Sequence, residues 1–139
     1  MKVLFILMRT DMLSMNPGKA IAQGAHAAQL FARKMENTND MEAAKNGGMP
    51  QGEAADYLEW CDQADGFGTV LTLGCTEAEM REVLKYAEQF DMHCGLVTDP
   101  TYPLRDGDTT HFFPVDTCAW VFGDKEELRD ALGWLELHP

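Results

Sequence analysis

The stretch Lys2–Arg9, which reads KVLFILMR, decides the fold of this 139-residue chain. Its centre, Val3–Met8, is wholly apolar, a pattern typical of a strand covered on both faces. After a short loop, Asn16-Pro17-Gly18 opens an alanine-rich helix that we expect to run to about Lys34. Its small residues let the helix backbone approach the sheet closely. A buried strand followed by such a helix predicts an α/β architecture.

Further strands and helices follow along the chain. The predicted elements are a polar, partly helical excursion with a mobile loop (35–51), a helix (53–61), a strand (69–73), a helix capped by Thr76 and Glu79 (76–90), a strand (93–97), a proline-containing loop, a strand (117–122) and a last helix capped by Asp124. This order predicts one domain over residues 1–139. We expect a three-layer α/β sandwich, with a mixed sheet of about four strands and helices on both faces.

The composition narrows the class of protein. The chain has 23 acidic and 11 basic residues, a formal net charge of −12, and no basic run, so any contact with nucleic acid must depend on a local positive site. Four scattered cysteines without a CxxC pair argue against a zinc site or a disulfide framework. No apolar run approaches the roughly 20 residues of a membrane span. These features predict a cytoplasmic protein.

The first helix carries the leading candidates for chemistry. Lys19 lies in its first turn, where free N–H groups and the helix dipole favour an anion, and Gly18 leaves room for close approach. Gln23 and His26 follow at i+4 and i+7 on the same helix face. Ala20 after Lys19 breaks the GxxxxGK[ST] pattern, so a nucleotide-triphosphate site is not expected. A solvent-facing polar stripe is the alternative interpretation.

A second group of candidates lies towards the C-terminus. Asp99 ends a predicted strand, Thr110 lies in the following loop and Thr117 begins the next strand. A carboxylate can orient or deprotonate water, and hydroxyls can hold a carbonyl oxygen. Taken singly, Asp99 before a proline is also a common turn residue, and threonine is common in strands. No catalytic serine motif and no paired metal-binding histidines occur, so no metal is expected.

Together these segments resemble a known family. Arg9-Thr10-Asp11 followed by Met15–Ala28 (MNPGKAIAQGAHAA) closely resembles the opening motif of class II peptidyl-tRNA hydrolases, in which R-x-D precedes G-K-x-A-A-Q-x-x-H-A. Later segments fit the same family over nearly the whole chain: 59–61, 76–90, 96–99, 110–114 and 116–119. The resemblance implies hydrolysis of the ester between peptide and tRNA, without metal or cofactor. It also implies a homodimer.

The resemblance assigns roles to several residues. It implies that Lys19 is the essential lysine, that Asp99 is its carboxylate partner and that Thr117 is the strand threonine. Thr110 matches the loop threonine, with Thr109 as the other candidate.

The remaining candidates would bind or position the substrate. Gln23 and His26 would support the site from the helix, and Gly18 would border the substrate. Arg9 and Arg105 would join Lys19 in a local basic patch for peptidyl-tRNA.

The chain also differs from the family pattern. It has an extra residue between Asp11 and Gly18, a longer 35–51 segment and an enlarged segment between Asp99 and Thr117, and it is strongly acidic. An alternative hypothesis is therefore a non-catalytic module of the same fold that binds a small nucleotide or another phosphorylated ligand. A weaker alternative is an interaction protein that contacts a partner through residues 35–51.

Overall fold

The computed structural model of the protein describes all residues, Met1–Pro139. The strands are β1 (Lys2–Arg9), β2 (Val70–Cys75), β3 (His93–Asp106) and β4 (Thr109–Asp124). The helices are α1 (Pro17–Glu36), α2 (Asn39–Lys45), α3 (Gly52–Asp62), α4 (Glu77–Gln89) and α5 (Arg129–Leu132), with a 3₁₀ turn at Ala64–Gly66. None of the helices combines the length and the hydropathy that a membrane span requires.

The four strands form one mixed sheet in the order β2-β1-β4-β3. β1 pairs with β2 in parallel, whereas β4 runs antiparallel to both β1 and β3. All six residues of Val3–Met8 are at most 6% exposed, as expected of an inner strand covered on both faces. The predicted four-stranded mixed sheet is therefore confirmed.

Helices cover both faces of the sheet, which confirms the predicted layers. Alternate residues of β1 point to opposite faces. Leu4, Ile6 and Met8 join a core built with α1, α2 and α3, and this core contains the buried Phe31. The other face packs against α4 and α5: its core comprises Val3, Phe5, Leu7, Leu73, Cys75, Met80, Val83, Leu84, Ala87, Cys94, Ala119, Val121, Leu128, Ala131 and Leu132.

The polar segment 35–51 is tied to the domain at its start. Met35 is buried in the last turn of α1, and α2 buries Met41 in the same core. The last helix, in contrast, begins later than predicted. Asp124 accepts a hydrogen bond from the Glu126 N–H at 3.0 Å, but α5 starts only at Arg129.

The predicted loop between Asp99 and Thr117 is wrong, because β3 and β4 continue through it as one long hairpin. Pairing extends from His93 opposite Phe122 to Asp106 opposite Thr109. β3 is an edge strand, and β4 pairs with β1 only from Cys118 onwards, so its first half lacks a second neighbour. Prolines lack an N–H and are tolerated at such edges, which explains why Pro100, Pro103 and Pro114 do not interrupt the hairpin.

Two irregularities bend this hairpin. Val97 lies opposite Cys118 and Thr98 opposite Asp116, which leaves Thr117 as an extra residue on β4. A second register shift lies between Asp99 and Tyr102. Such bulges redirect side chains that strict alternation would point elsewhere.

Candidate active site

The start of α1 is fixed by a side-chain cap. The Asn16 side chain accepts a hydrogen bond from the Lys19 N–H at 2.9 Å, and Pro17 occupies the first turn, where its missing N–H has no cost. Gly18 is exposed, and a Cβ there would meet only Asn16 Oδ1, at 3.5 Å. The surface beside Lys19 is therefore open.

The Lys19 ammonium faces the β3–β4 hairpin. Its Nζ donates to the Pro103 carbonyl at 3.0 Å and lies 5.0 Å from the centre of the Tyr102 ring. No carboxylate lies within 4.0 Å of it, so the predicted partnership with Asp99 is not a direct ion pair. A carbonyl oxygen is a weaker partner than a carboxylate, and Lys19 is therefore free to exchange it for an anion.

Gln23 connects Asp99 to Thr117. Its Nε2 donates to Asp99 Oδ2 at 2.7 Å, and its Oε1 accepts from the Thr117 hydroxyl at 2.6 Å. An ionised carboxylate only accepts, which fixes the orientation of the amide. Gln23 is 4% exposed and Thr117 is fully buried. Three residues predicted separately thus form one chain of hydrogen bonds, in which Gln23 orients other groups and does not face the substrate.

The bulge in β4 makes this arrangement possible. Cys118 packs in the core on the α1 face, and its Sγ donates to the Gln23 carbonyl at 3.4 Å. In a regular strand Thr117 would then point to the opposite face. As the extra residue of the bulge, it instead reaches Gln23 on the same face as Cys118.

Asp99 is held in its charged form. Partial burial would raise the pKa of its carboxyl, but hydrogen bonds donated by the Thr101 N–H and by Gln23, together with the electrostatic effect of the nearby His26 imidazole, lower that pKa below its ordinary value. Asp99 is therefore an ionised carboxylate at neutral pH, able to accept hydrogen bonds from water.

Thr101 is a site residue that the sequence interpretation missed. Its N–H donates to Asp99 Oδ1 at 2.9 Å, and its hydroxyl lies 3.4 Å from the same oxygen. The Asp99-Pro100-Thr101 sequence could have indicated this contact, because an aspartate side chain often accepts a hydrogen bond from the backbone N–H two residues further on. Tyr102 was missed as well; its hydroxyl lies 3.0 Å from Ser14 Oγ.

The predicted loop threonine does not lie with this cluster. Thr110 pairs with Arg105 and Thr109 with Asp106, near the exposed end of the hairpin. The reason is the long hairpin, which carries both threonines beyond the part of β4 that pairs with β1. Arg105 also lies there, and its Nε donates to the Gly107 carbonyl at 3.3 Å. The predicted basic patch of Arg9, Lys19 and Arg105 is thus not assembled.

Arg9 has a different environment from the one predicted. It forms ion pairs with Asp11 at 2.9 Å and Glu77 at 3.5 Å, and its side chain is only 12% exposed. Its Nη1 donates to the Asp116 carbonyl at 3.1 Å, beside Thr117. Arg9 therefore supports the bulge and is not available to a substrate.

Cavities flank α1 on both sides. On the β3 side, a groove of about 390 Å³ is lined by His26, Gln29, Leu30, Arg33 and residues 97–101, including Asp99. On the β2 side, a larger cavity of about 570 Å³ is mainly apolar and includes Met8, Ile21 and Thr72. Size alone would favour the larger one. The groove is the better candidate, because it contains the oriented carboxylate.

This chain is similar to known proteins in sequence and in fold. A family model described as Peptidyl-tRNA hydrolase PTH2 matches residues 2–137. A solved protein of unknown function, Atu0240 from Agrobacterium tumefaciens strain C58, is similar over 99% of this chain and 98% of its own, with 11% identity and a TM-score of 0.51. At that identity the likeness concerns the fold alone. Curated proteins include no significant match. Because the family match spans almost the whole chain, this protein belongs to the peptidyl-tRNA hydrolase PTH2 family.

Proposed function

We propose that this protein hydrolyses the ester bond between the peptide and the tRNA of peptidyl-tRNA. The observation that carries the proposal is the chain of hydrogen bonds from Thr117 through Gln23 to Asp99 beside the groove, with Lys19 in the first turn of the helix that carries Gln23. It supplies a carboxylate of fixed orientation, and the family match supports peptidyl-tRNA as the substrate. Preorganised groups of this kind are what ester hydrolysis needs.

In the proposed mechanism Asp99 acts as the general base. A water molecule held by Asp99 and the Thr101 hydroxyl attacks the ester carbonyl carbon while its proton passes to Asp99. The tetrahedral intermediate then collapses, the bond to the ribose oxygen breaks, and that oxygen takes the proton from Asp99. Gln23 and Thr117 keep the carboxylate in position throughout.

Lys19 stabilises the negative charge that forms on the carbonyl oxygen. To do so, its ammonium leaves the Pro103 carbonyl and binds the oxyanion, which is a stronger partner. The flexible stem of lysine allows this exchange. Since the charge develops only during reaction, the contact acts on turnover more than on substrate binding.

The test compares wild type with Lys19→Ala in the release of N-acetyl-aminoacyl groups from tRNA. We expect kcat to fall about 100-fold or more, the scale seen when an oxyanion donor is removed, with KM changed only slightly. Lys85→Ala is the matched control, because Lys85 is exposed on α4, across the sheet. Equal turnover in Lys19→Ala, or no activity in a folded wild type, would contradict the proposal.

The acidic composition favours one other function, the binding of a small phosphorylated ligand without catalysis. With a net charge of −12, the surface as a whole repels a polyanion such as tRNA more than a small ligand. Failure of the hydrolysis assay together with binding of a mononucleotide would support this alternative. A cytoplasmic location and a homodimer accompany the main proposal, and sedimentation of the purified protein tests the dimer.

A further inference from the structure

Helix α1 differs in charge from the rest of the chain. It contains three of the 11 basic residues, Lys19, Arg33 and Lys34, as well as His26, but only one of the 23 acidic residues, Glu36 at its end. Its exposed side is thus a local positive surface on an acidic protein. A polyanion that approaches this molecule meets least repulsion there.

The two basic side chains and the histidine on one flank of this helix are also aligned. Lys19, His26 and Arg33 follow each other at intervals of seven residues, which is close to two helical turns, so all three lie on the flank that faces β3. With a rise of about 1.5 Å per residue, they extend over about 21 Å. This length suits several nucleotides of a strand better than one small ligand.

The groove beside this flank ends at a free guanidinium. Arg33 is exposed and lines the groove with His26, yet no carboxylate lies within 4.0 Å of it. The other three arginines outside the hairpin, Arg9, Arg81 and Arg129, all form ion pairs. Arg33 is therefore available to an anion from outside the chain.

We propose that Arg33 and His26 form a subsite for the phosphates of the single-stranded 3′ end of tRNA. The inference rests on the proposed hydrolysis. The subsite determines in which direction the tRNA strand runs along α1. Asp99 repels phosphate, so the phosphates occupy the part of the groove nearer Arg33, about two helical turns beyond His26. The terminal ribose and its ester then lie at Asp99, between Arg33 and Lys19.

Other groups in the groove suit the bases of such a strand. Leu30 is 41% exposed beside His26, and together they offer an apolar surface and a flat ring against which an unpaired base can stack. The exposed end of the hairpin is less suitable, since Asp106 and Asp108 flank its turn. The strand therefore follows α1 and not the hairpin.

The experiment measures Arg33→Gln on two esters, N-acetyl-aminoacyl-tRNA and an N-acetyl-aminoacyl ester of adenosine, which has no phosphate. We expect kcat/KM to fall about tenfold for the tRNA ester and to remain unchanged for the adenosine ester, as the loss of one phosphate contact requires. The slope of log binding constant against log salt should weaken by about 1. Glutamine is a good helix former, so the variant should fold.

Lys85→Gln is the matched control, and Arg33→Lys should recover part of the loss. Equal losses of kcat/KM on both esters, or no loss on the tRNA ester, would overturn the proposed subsite. If wild type hydrolyses neither ester, the proposed function fails, and binding of a fluorescent single-stranded RNA ending in a 3′ adenosine decides the subsite separately. Weaker binding by Arg33→Gln than by Lys85→Gln supports it; equal binding, or binding no tighter than that of a mononucleotide, rejects it.

Discussion

Gln23 is a neutral side chain that joins a carboxylate to a buried hydroxyl. Because its amide donates to Asp99 and accepts from Thr117, it satisfies two polar groups that water reaches poorly. It also helps to keep the pKa of Asp99 low, against the effect of burial. The same side chain therefore contributes to stability and to the protonation state of the proposed base.

The variant Gln23→Ala separates these two contributions. It leaves the buried Thr117 hydroxyl with only the weak acceptor Cys118 Sγ, at 3.8 Å, so the free energy of unfolding should fall by about 1–3 kcal/mol. It also removes one donor to Asp99, which raises the pKa of that carboxyl. The acid limb of kcat/KM should then move to higher pH, measured between pH 3 and 7. Gln89→Ala, exposed in the last turn of α4 on the other face of the sheet, is the control; identical acid limbs in Gln23→Ala and wild type would refute the expectation.

At the scale of secondary structure, Arg9 joins three elements. It lies at the end of β1, pairs with Asp11 and Glu77 and donates to the Asp116 carbonyl in the bulge of β4. Asp11 in turn accepts from the Glu77 N–H, which ties the start of α4 to the same point. The position of Thr117 thus depends on contacts outside the site.

Replacing Arg9 with alanine should loosen the bulge. We expect the free energy of unfolding to fall by about 1.5–3 kcal/mol, the scale for hydrogen bonds to charged groups. We also expect kcat to fall while KM changes little, since Arg9 does not face the substrate. Urea unfolding and steady-state kinetics measure the two effects. Arg129→Ala is the matched control, because Arg129 pairs with Glu126 at the exposed surface, away from the bulge.

In that control a smaller loss of stability and an unchanged kcat are expected, since exposed ion pairs contribute little. If both variants lost turnover equally, a specific role of Arg9 in supporting the bulge would be excluded.

For the whole molecule, pH acts through carboxylates that the fold keeps charged. The hydrogen bond from Arg9 lowers the pKa of Asp11, and the hydrogen bond from Thr98 and the contact with Arg81 lower that of Asp116. A carboxyl whose pKa is lower in the folded than in the unfolded state stabilises the fold above its unfolded pKa, about 3.9. That stabilisation is lost as the pH falls through the folded pKa.

Asp11→Asn should therefore be less stable than wild type at pH 7, and the difference should shrink as the pH falls below about 3.9. The physical reason is that protonation of Asp11 in wild type removes the same charge that the variant lacks. Midpoints of urea unfolding at pH 7, 5 and 3 measure this change. A difference independent of pH would show that the carboxylate charge is not the cause.

Much of the architecture could be predicted from local patterns. The apolar run Val3–Met8 requires cover on both faces wherever it lies, and the Thr76 cap with Glu79 is formed within one turn, with hydrogen bonds of 3.1 and 2.8 Å. Lys19 at a helix start follows likewise from Asn16 and Pro17 beside it. Such features depend on residues that are close together in the sequence, so the sequence alone is enough to predict them.

The long hairpin, the bulge at Thr117 and the pairing of Arg9 could not be predicted in this way. Whether a proline interrupts a strand depends on whether that strand lies at an edge, and the edge is set by pairing between distant segments. Thr117 reaches Gln23, 94 residues away, only because the register of β3 against β4 leaves it unpaired. Long-range pairing therefore decides which of the candidate residues meet, since the energies that set it come from contacts between segments far apart in the chain.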